Sequence, residues 1–221
     1  MNRIFSRKWI VVIAFLFIGI SSFAQNQYDD EIAAFHKKDA AAPPPKNAIL
    51  FVGSSTFRKW TTMENDFPTH AVINRGFGGA VFPDVIHFAN EIIIPYQPKQ
   101  ILIYCGDNDL ASSDTVTPVV VLHRFKELFA IIRTGVPNAQ IDFVSIKPSP
   151  SRAHLMPNIV KSNKLIKKFL RKKKNTKFIN TYNAMLGADG QPVPDIFIED
   201  KLHMNAKGYA IWQKIIEPYL L

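Results

Sequence analysis

The chain has 221 residues, 47% of them hydrophobic, one cysteine and a formal net charge of +9. That length suits one domain with a full core, and a lone cysteine excludes an intramolecular disulfide framework. The charge is local: residues 161–177 hold Lys161, Lys164, Lys167, Lys168, Arg171, Lys172, Lys173, Lys174 and Lys177 and no acid, and no aromatic stripe or nucleic-acid motif accompanies them, which argues against a nucleic-acid partner.

Arg3, Arg7 and Lys8 precede an apolar run over residues 9–20, and Ser22-Phe23-Ala24 follows with small residues at 22 and 24. This predicts a signal peptide over 1–24 and export to a periplasm or beyond the cell. The run falls short of the ~20 residues a spanning helix needs; an uncleaved anchor is the rival reading. Residues 25–45 are a lead-in: a helix over 28–42, stopped by Pro43-Pro44-Pro45. The main domain is expected over 46–221.

Within it, residues 48–52 form a continuous apolar run stopped by Gly53, as a buried strand should be. Further strands are predicted over 71–74, 100–105, 139–146 and 177–179. Helices are predicted over 82–94, with Pro83 in the first turn, and over 118–133, 158–173 and 205–219; a short helical turn is expected over 57–60. Residues 106–114 are expected to be loop, and Pro148, Pro150 and Pro157 frame a rigid one. Cys105 ends an apolar strand and is expected to be a small buried hydrophobe. The 158–173 helix buries one face and presents its lysines to solvent; contact with an anionic surface is the alternative role for them. Strands alternating with amphipathic helices imply a parallel sheet covered on both faces. Sites on such a sheet gather outside the carboxyl ends of the strands, where Gly53, Gly76-Phe77-Gly78-Gly79 and Gly106 all fall.

Four short motifs carry chemistry. Gly53-Ser54-Ser55-Thr56 places hydroxyls at a helix start, where free backbone N–H groups and the dipole favour negative charge. It lacks the Gly-x-x-x-x-Gly-Lys pattern of a nucleotide cradle, and an ordinary N-cap is its plain alternative. Asp200-Lys201-Leu202-His203 supplies a base for a serine hydroxyl and a carboxylate to orient the ring. His154, after the fourth strand, is a spare histidine. Gly106-Asp107-Asn108-Asp109 and the 76–79 glycine run supply a side-chain amide and close-approaching backbone N–H groups, the donors an acyl-transfer oxyanion needs. Asp107 and Asp109 lack a neighbouring His or Glu, so no metal is expected. Trp60, Phe77 and Arg152 are candidates for substrate contact, with packing (Trp60, Phe77) or surface charge (Arg152) as alternatives.

The four motifs, in this order and across nearly the whole chain after residue 24, resemble the SGNH (GDSL-type) hydrolase family. No Gly-x-Ser-x-Gly elbow of ordinary α/β-hydrolases occurs. The resemblance implies a flavodoxin-like three-layer α/β/α sandwich with a central parallel five-stranded sheet, and cofactor-free and metal-free ester hydrolysis. It makes Ser55 the implied nucleophile, His203 the base, Asp200 its orienter, and Gly79 and Asn108 oxyanion donors beside the Ser55 N–H. Ser54 stands where the family carries Asp, and is a rival nucleophile; Gly78 is the alternative to Gly79. The expected substrate is a small-molecule ester, an acetylated sugar first and a short acyl lipid second. A binding protein on a decayed scaffold is the alternative, and no stable protein partner is expected.

Overall fold

Five short apolar runs pair into one parallel sheet in the computed structural model, which describes residues 27–221. The strands are β1 (Ile49–Gly53), β2 (Val72–Gly76), β3 (Gln100–Tyr104), β4 (Gln140–Val144) and β5 (Thr176–Ile179). Their order is β2-β1-β3-β4-β5, every pair parallel. The helices are α1 (Asp29–Ala41), α2 (Ser55–Arg58), α3 (Met63–Asp66), α4 (Phe82–His87), α5 (Ala89–Ile92), α6 (Asp107–Ser112), α7 (Pro118–Gly135), α8 (Met156–Leu170) and α9 (Ala206–Ile216). The signal-peptide expectation over 1–24 lies outside the described residues.

Two-residue alternation along the strands builds two cores. Leu50 and Val52 of β1 and Ile101 and Ile103 of β3 face a cluster with Val85, Phe125, Leu128, Ile159 and Ile166 from α4, α7 and α8. Ile49, Phe51, Leu102 and Tyr104 face the other way, onto Phe57, Met63, Trp212 and Ile216 from α2, α3 and α9. Both sheet faces are therefore covered, and the central strands β1 and β3 are buried at every position.

The predicted strands appear within a few residues of their expected bounds. Two helical expectations change. The 82–94 helix breaks at Phe88, whose backbone (φ −89°, ψ 1°) leaves the helical region while its ring packs edge-to-face on Phe77. The 106–114 segment is not all loop: α6 occupies 107–112, its first turn carrying Asp107 and Asp109, where acidic side chains complement the helix dipole.

The lead-in helix α1 is fastened to edge strand β2. Arg75, almost fully buried, pairs with Asp39 and is held by the Tyr96 hydroxyl, with the rings of Phe35 and Tyr96 against its guanidinium. At the opposite edge, all nine basic side chains of 161–177 are exposed. The densest part, residues 171–174, joins the end of α8 to the start of β5. Since β5 runs parallel to β4, that patch lies at the amino-terminal end of the sheet.

Gly53 shows how tightly the strand ends are drawn together. Its φ is +142°, and a Cβ there would sit 1.8 Å from the Tyr104 carbonyl oxygen. Gly190 also has a positive φ (+74°) but nothing within 4 Å. Gly53→Ala is expected to cost at least about 3 kcal/mol in urea unfolding, through backbone displacement. Gly190→Ala should cost only about 1–2 kcal/mol, for the left-handed conformation alone. Equal losses at the two positions would show that the β1–β3 contact is not the constraint.

Candidate active site

The site is assembled at the carboxyl ends of β2, β1 and β3, adjacent in the sheet, and closed by the turn before α9. Gly53 ends β1 and turns the chain, so that the Ser54 N–H donates to the Tyr104 carbonyl (3.0 Å) and Ser55 opens α2. The two serines diverge. Ser54 is 0% exposed and its Oγ has no hydrogen-bond partner among the described residues. Ser55 is part-exposed, and its Oγ lies 2.9 Å from His203 Nε2.

The other ring nitrogen, His203 Nδ1, is 2.6 Å from Asp200 Oδ2. Asp200 Oδ1 accepts the backbone N–H groups of Leu202 (2.9 Å) and His203 (2.8 Å). With Nδ1–H donated to the carboxylate, Nε2 is left as an acceptor for the Ser55 hydroxyl. Burial alone would raise the Asp200 carboxyl. Hydrogen bonds from the His203 ring and from the His203 and Leu202 backbone outweigh it and bring it down to about 2.

This turn is held from several sides. Lys201 has φ +53°, and its carbonyl accepts both the N–H (3.1 Å) and the Oγ–H (3.0 Å) of Ser151. The His203 carbonyl accepts the Ile198 N–H at 2.9 Å. Asn205 caps α9, accepting from Lys207 and Gly208 N–H, while its amide donates to the Asp195 and Phe197 carbonyls. One turn on, Tyr209 Oη donates to the Thr56 carbonyl at 2.9 Å, tying the helix after His203 to the helix that begins with Ser55.

The expected oxyanion donors differ in what they contact. The Ser55 and Gly79 N–H groups make no hydrogen bond among the described residues, whereas the Gly78 N–H is taken by both Glu31 oxygens (3.2 Å each). That separates Gly79 from its neighbour; its φ of +73° is one glycine tolerates. Asn108 Nδ2 donates to the Ala80 carbonyl (3.1 Å), and its Oδ1 accepts from Arg152 Nη2 (2.8 Å).

Other expected contacts are not at the site. Trp60 is 1% exposed, with its Nε1–H on Asp66 and its ring stacked on Tyr209. Phe77 is 0% exposed, between Tyr28 and Phe88. Both are core residues: Trp60 follows α2 into the aromatic cluster of Phe51, Phe67 and Trp212, and Phe77 turns inward directly after β2. His154 is exposed on the 150s loop and makes no part of the Ser55–His203 chain. Arg152 is at the site but engaged with protein: besides Asn108, its Nη1 lies 3.0 Å from Asp107 Oδ2.

Sequence reasoning missed Asp107, Lys147 and Tyr209. Lys147 is 1% exposed with Nζ 3.5 Å from Asp107 Oδ2. Burial pushes the Lys147 ammonium down, with Asp107 opposing. Burial pushes Asp107 up, but Lys147, Arg152 and the Asn108 N–H more than reverse it. Asp107 sits inside a motif already named, one residue before Asn108, and Tyr209 lies six residues beyond His203. Lys147, amid an apolar strand end, carries no sequence signal of its own. Among the described residues no group of three or more His, Cys, Asp or Glu is placed to hold a metal ion.

A hydroxyl, imidazole and carboxylate in series, beside unclaimed N–H donors at the ends of a parallel sheet, define an α/β protein of the ester-hydrolase class. The GDSL-like lipase/acylhydrolase family profile matches residues 22–211, and the chain belongs to that family. Solved structures share the fold. A candidate platelet activating factor from Streptococcus pneumoniae superposes with a TM-score of 0.75 at 18% identity, covering 87% of this chain and 92% of that one. A GDSL-like lipase from Bacteroides thetaiotaomicron gives 0.71 at 20% identity, covering 85% and 96%. A variant of an acetyl-xylooligosaccharide esterase from Geobacillus gives 0.63 at 15% identity, covering 77% and 92%. A search of curated proteins gave no match.

The lowered Asp200 carboxyl has a consequence for stability. A carboxyl whose folded value lies below its unfolded value of about 3.9 stabilises the fold above that value, and the contribution is lost as pH falls through about 2. Urea midpoints of the native chain should therefore drop between about pH 5 and about pH 2.5, and Asp200→Asn should show a smaller drop. An unchanged drop in the variant would mean that the Asp200–His203 contact does not persist in solution.

Proposed function

We propose that the protein is an exported serine esterase in which Ser55, His203 and Asp200 act as nucleophile, base and orienting carboxylate. The observation that carries this is the unbroken chain Ser55 Oγ–His203 Nε2 (2.9 Å) and His203 Nδ1–Asp200 Oδ2 (2.6 Å). Ser55 Oγ attacks the ester carbonyl carbon as its proton passes to His203 Nε2. The carbonyl oxygen becomes an oxyanion, received by the Ser55 N–H, the Gly79 N–H and the Asn108 amide. The tetrahedral adduct collapses, the C–O bond to the alcohol breaks, and His203 returns the proton to the departing oxygen. Water then attacks the acyl-serine by the same route and frees the acid.

Openness favours a small acyl group. Asp200 is 41% exposed, and α2 and the glycine run follow their strands with little intervening chain. Substrates to try first are acetylated carbohydrates, then short acyl lipids. The fold likeness to an acetyl-xylooligosaccharide esterase suits that order. Export, from the pattern of residues 1–24, puts such substrates in the cell envelope or surroundings.

A fluorophosphonate probe should label the protein at neutral pH, and Ser55→Ala should abolish labelling. Turnover of nitrophenyl acetate should fall by at least ~10,000-fold in Ser55→Ala or His203→Ala, and less in Asp200→Ala. Ser54→Ala should keep labelling and most activity. Turnover that survives Ser55→Ala, or vanishes in Ser54→Ala alone, would overturn the assignment.

The basic patch fits a separate role, electrostatic contact with an anionic membrane surface. It lies at the opposite end of the sheet from Ser55, so contact there leaves the site facing solution. The protein should sediment with phosphatidylglycerol vesicles at low salt and not with phosphatidylcholine vesicles. Replacing Arg171, Lys172, Lys173 and Lys174 by Gln should release it without changing ester turnover. Equal sedimentation of this variant would refute the role.

A further inference from the structure

Asn108 is useful to an oxyanion only if its NH₂ group, not its carbonyl, faces the reacting carbon. An amide can present either by turning over, and the local contacts decide which. Arg152 Nη2 is 2.8 Å from Oδ1, and the Ala80 carbonyl oxygen is 3.1 Å from Nδ2. Turned over, the amide would set N–H against guanidinium N–H and oxygen against carbonyl oxygen. Both contacts would become repulsive at once. In the observed orientation one Nδ2 hydrogen goes to Ala80 and the second is unclaimed among the described residues.

We propose that Arg152 is a positioning residue that locks the Asn108 amide and strengthens it as a donor; this rests on the reading of Asn108 as an oxyanion donor. The guanidinium is itself fixed. Its Nη1 lies 3.0 Å from Asp107 Oδ2, and Asp107 is the residue before Asn108 on α6. Lys147 Nζ, 3.5 Å from the same carboxylate oxygen, holds Asp107 from behind. The fork of one arginine thus bridges two consecutive residues of α6, an arrangement a lysine cannot copy because its charge sits at a single point. Drawing electron density toward Oδ1 leaves the Nδ2–H more positive, as in any hydrogen-bonded amide series.

Arg152 has a second connection. Ser151, its neighbour, donates twice to the Lys201 carbonyl within the Asp200–His203 turn. One two-residue step of the 150s loop therefore braces the oxyanion side through Arg152 and the base side through Ser151.

The test is a double-mutant cycle on kcat and KM for nitrophenyl acetate with Arg152→Met, Asn108→Ala and the pair, using the full chain. Asn108→Ala should lower kcat by ~100-fold or more. Arg152→Met should lower kcat by about 10-fold with KM within about twofold, the size of one charge-assisted hydrogen bond. The pair should match Asn108→Ala within about threefold, because without the amide there is nothing to orient. Arg152→Gln, which retains an N–H donor for Oδ1, should recover part of kcat and serves if the Met variant does not fold. A raised KM with unchanged kcat in the Arg152 variants would mean direct substrate contact and overturn the brace. So would losses that multiply in the pair, or a Gln variant no better than Met. An unchanged kcat in Asn108→Ala would instead remove the oxyanion role of Asn108, and the brace with it.

Discussion

A single hydrogen bond, 2.9 Å between Ser55 Oγ and His203 Nε2, joins residues 148 positions apart, and the architecture exists around that meeting. The serine side is fixed by the sheet. Gly53 lies so close to Tyr104 that β1 and β3 leave no room for a side chain, and α2 departs in one direction only. The histidine side is not on the sheet. It is brought in by α9, whose Tyr209 hydroxyl reaches the Thr56 carbonyl and whose Trp212 and Ile216 fill the core under β1 and β3. A hydrogen bond between neutral groups is worth only about 1 kcal/mol net. It cannot hold the two halves together alone; the buried face of α9 does that, and the Ser55–His203 contact uses a position already fixed.

The glycine loop shows the same division between scaffold and unclaimed donor. Gly79 and Gly78 are adjacent, yet only one N–H is unclaimed, because Glu31 of α1 takes the other while pairing with Arg58 at 2.8 Å. The lead-in helix is therefore coupled to the site: it closes off one donor of the glycine loop and touches the helix that starts with Ser55. Its attachment through Asp39 and Arg75 at β2 gives that contact a fixed base.

Much of this was legible in the sequence because the relevant signals are local. Apolar runs ended by glycine gave β1 and β3 to within a residue or two, and strand ends located three of the four motifs. The resemblance already pointed to Ser55 and Gly79; the structure adds that Ser54 is enclosed and that the Gly78 N–H is taken by Glu31. Trp60 and Phe77 looked like contact residues because they adjoin motif residues. An aromatic after a strand end is as easily folded back under the sheet, and both are. The Asp107–Lys147–Arg152 cluster was invisible for a different reason. It joins the start of α6, the segment after β4 and the residues around Arg152, and no spacing rule links charges that meet only through tertiary structure. The 106–114 segment reads as loop after a strand end, yet its polar residues are ones a helix start favours.

The replacement of the family's motif Asp by Ser54 can be weighed against this geometry. Ser54 is wholly buried, and its hydroxyl touches no other polar group among the described residues. None of the contacts joining Ser55, His203 and Asp200 passes through it. Nor does it meet the donors at Gly79 and Asn108. A carboxylate at this depth would need partners to offset its desolvation, and a serine needs far less. The substitution therefore changes what supports the turn beneath Ser55 while leaving the Ser55–His203–Asp200 contacts in place. Gly53, which sets that turn through its backbone, is retained. The part of this turn that geometry demands is the glycine, since a Cβ at position 53 would collide with the Tyr104 carbonyl, whereas Ser54 adds only a small enclosed side chain.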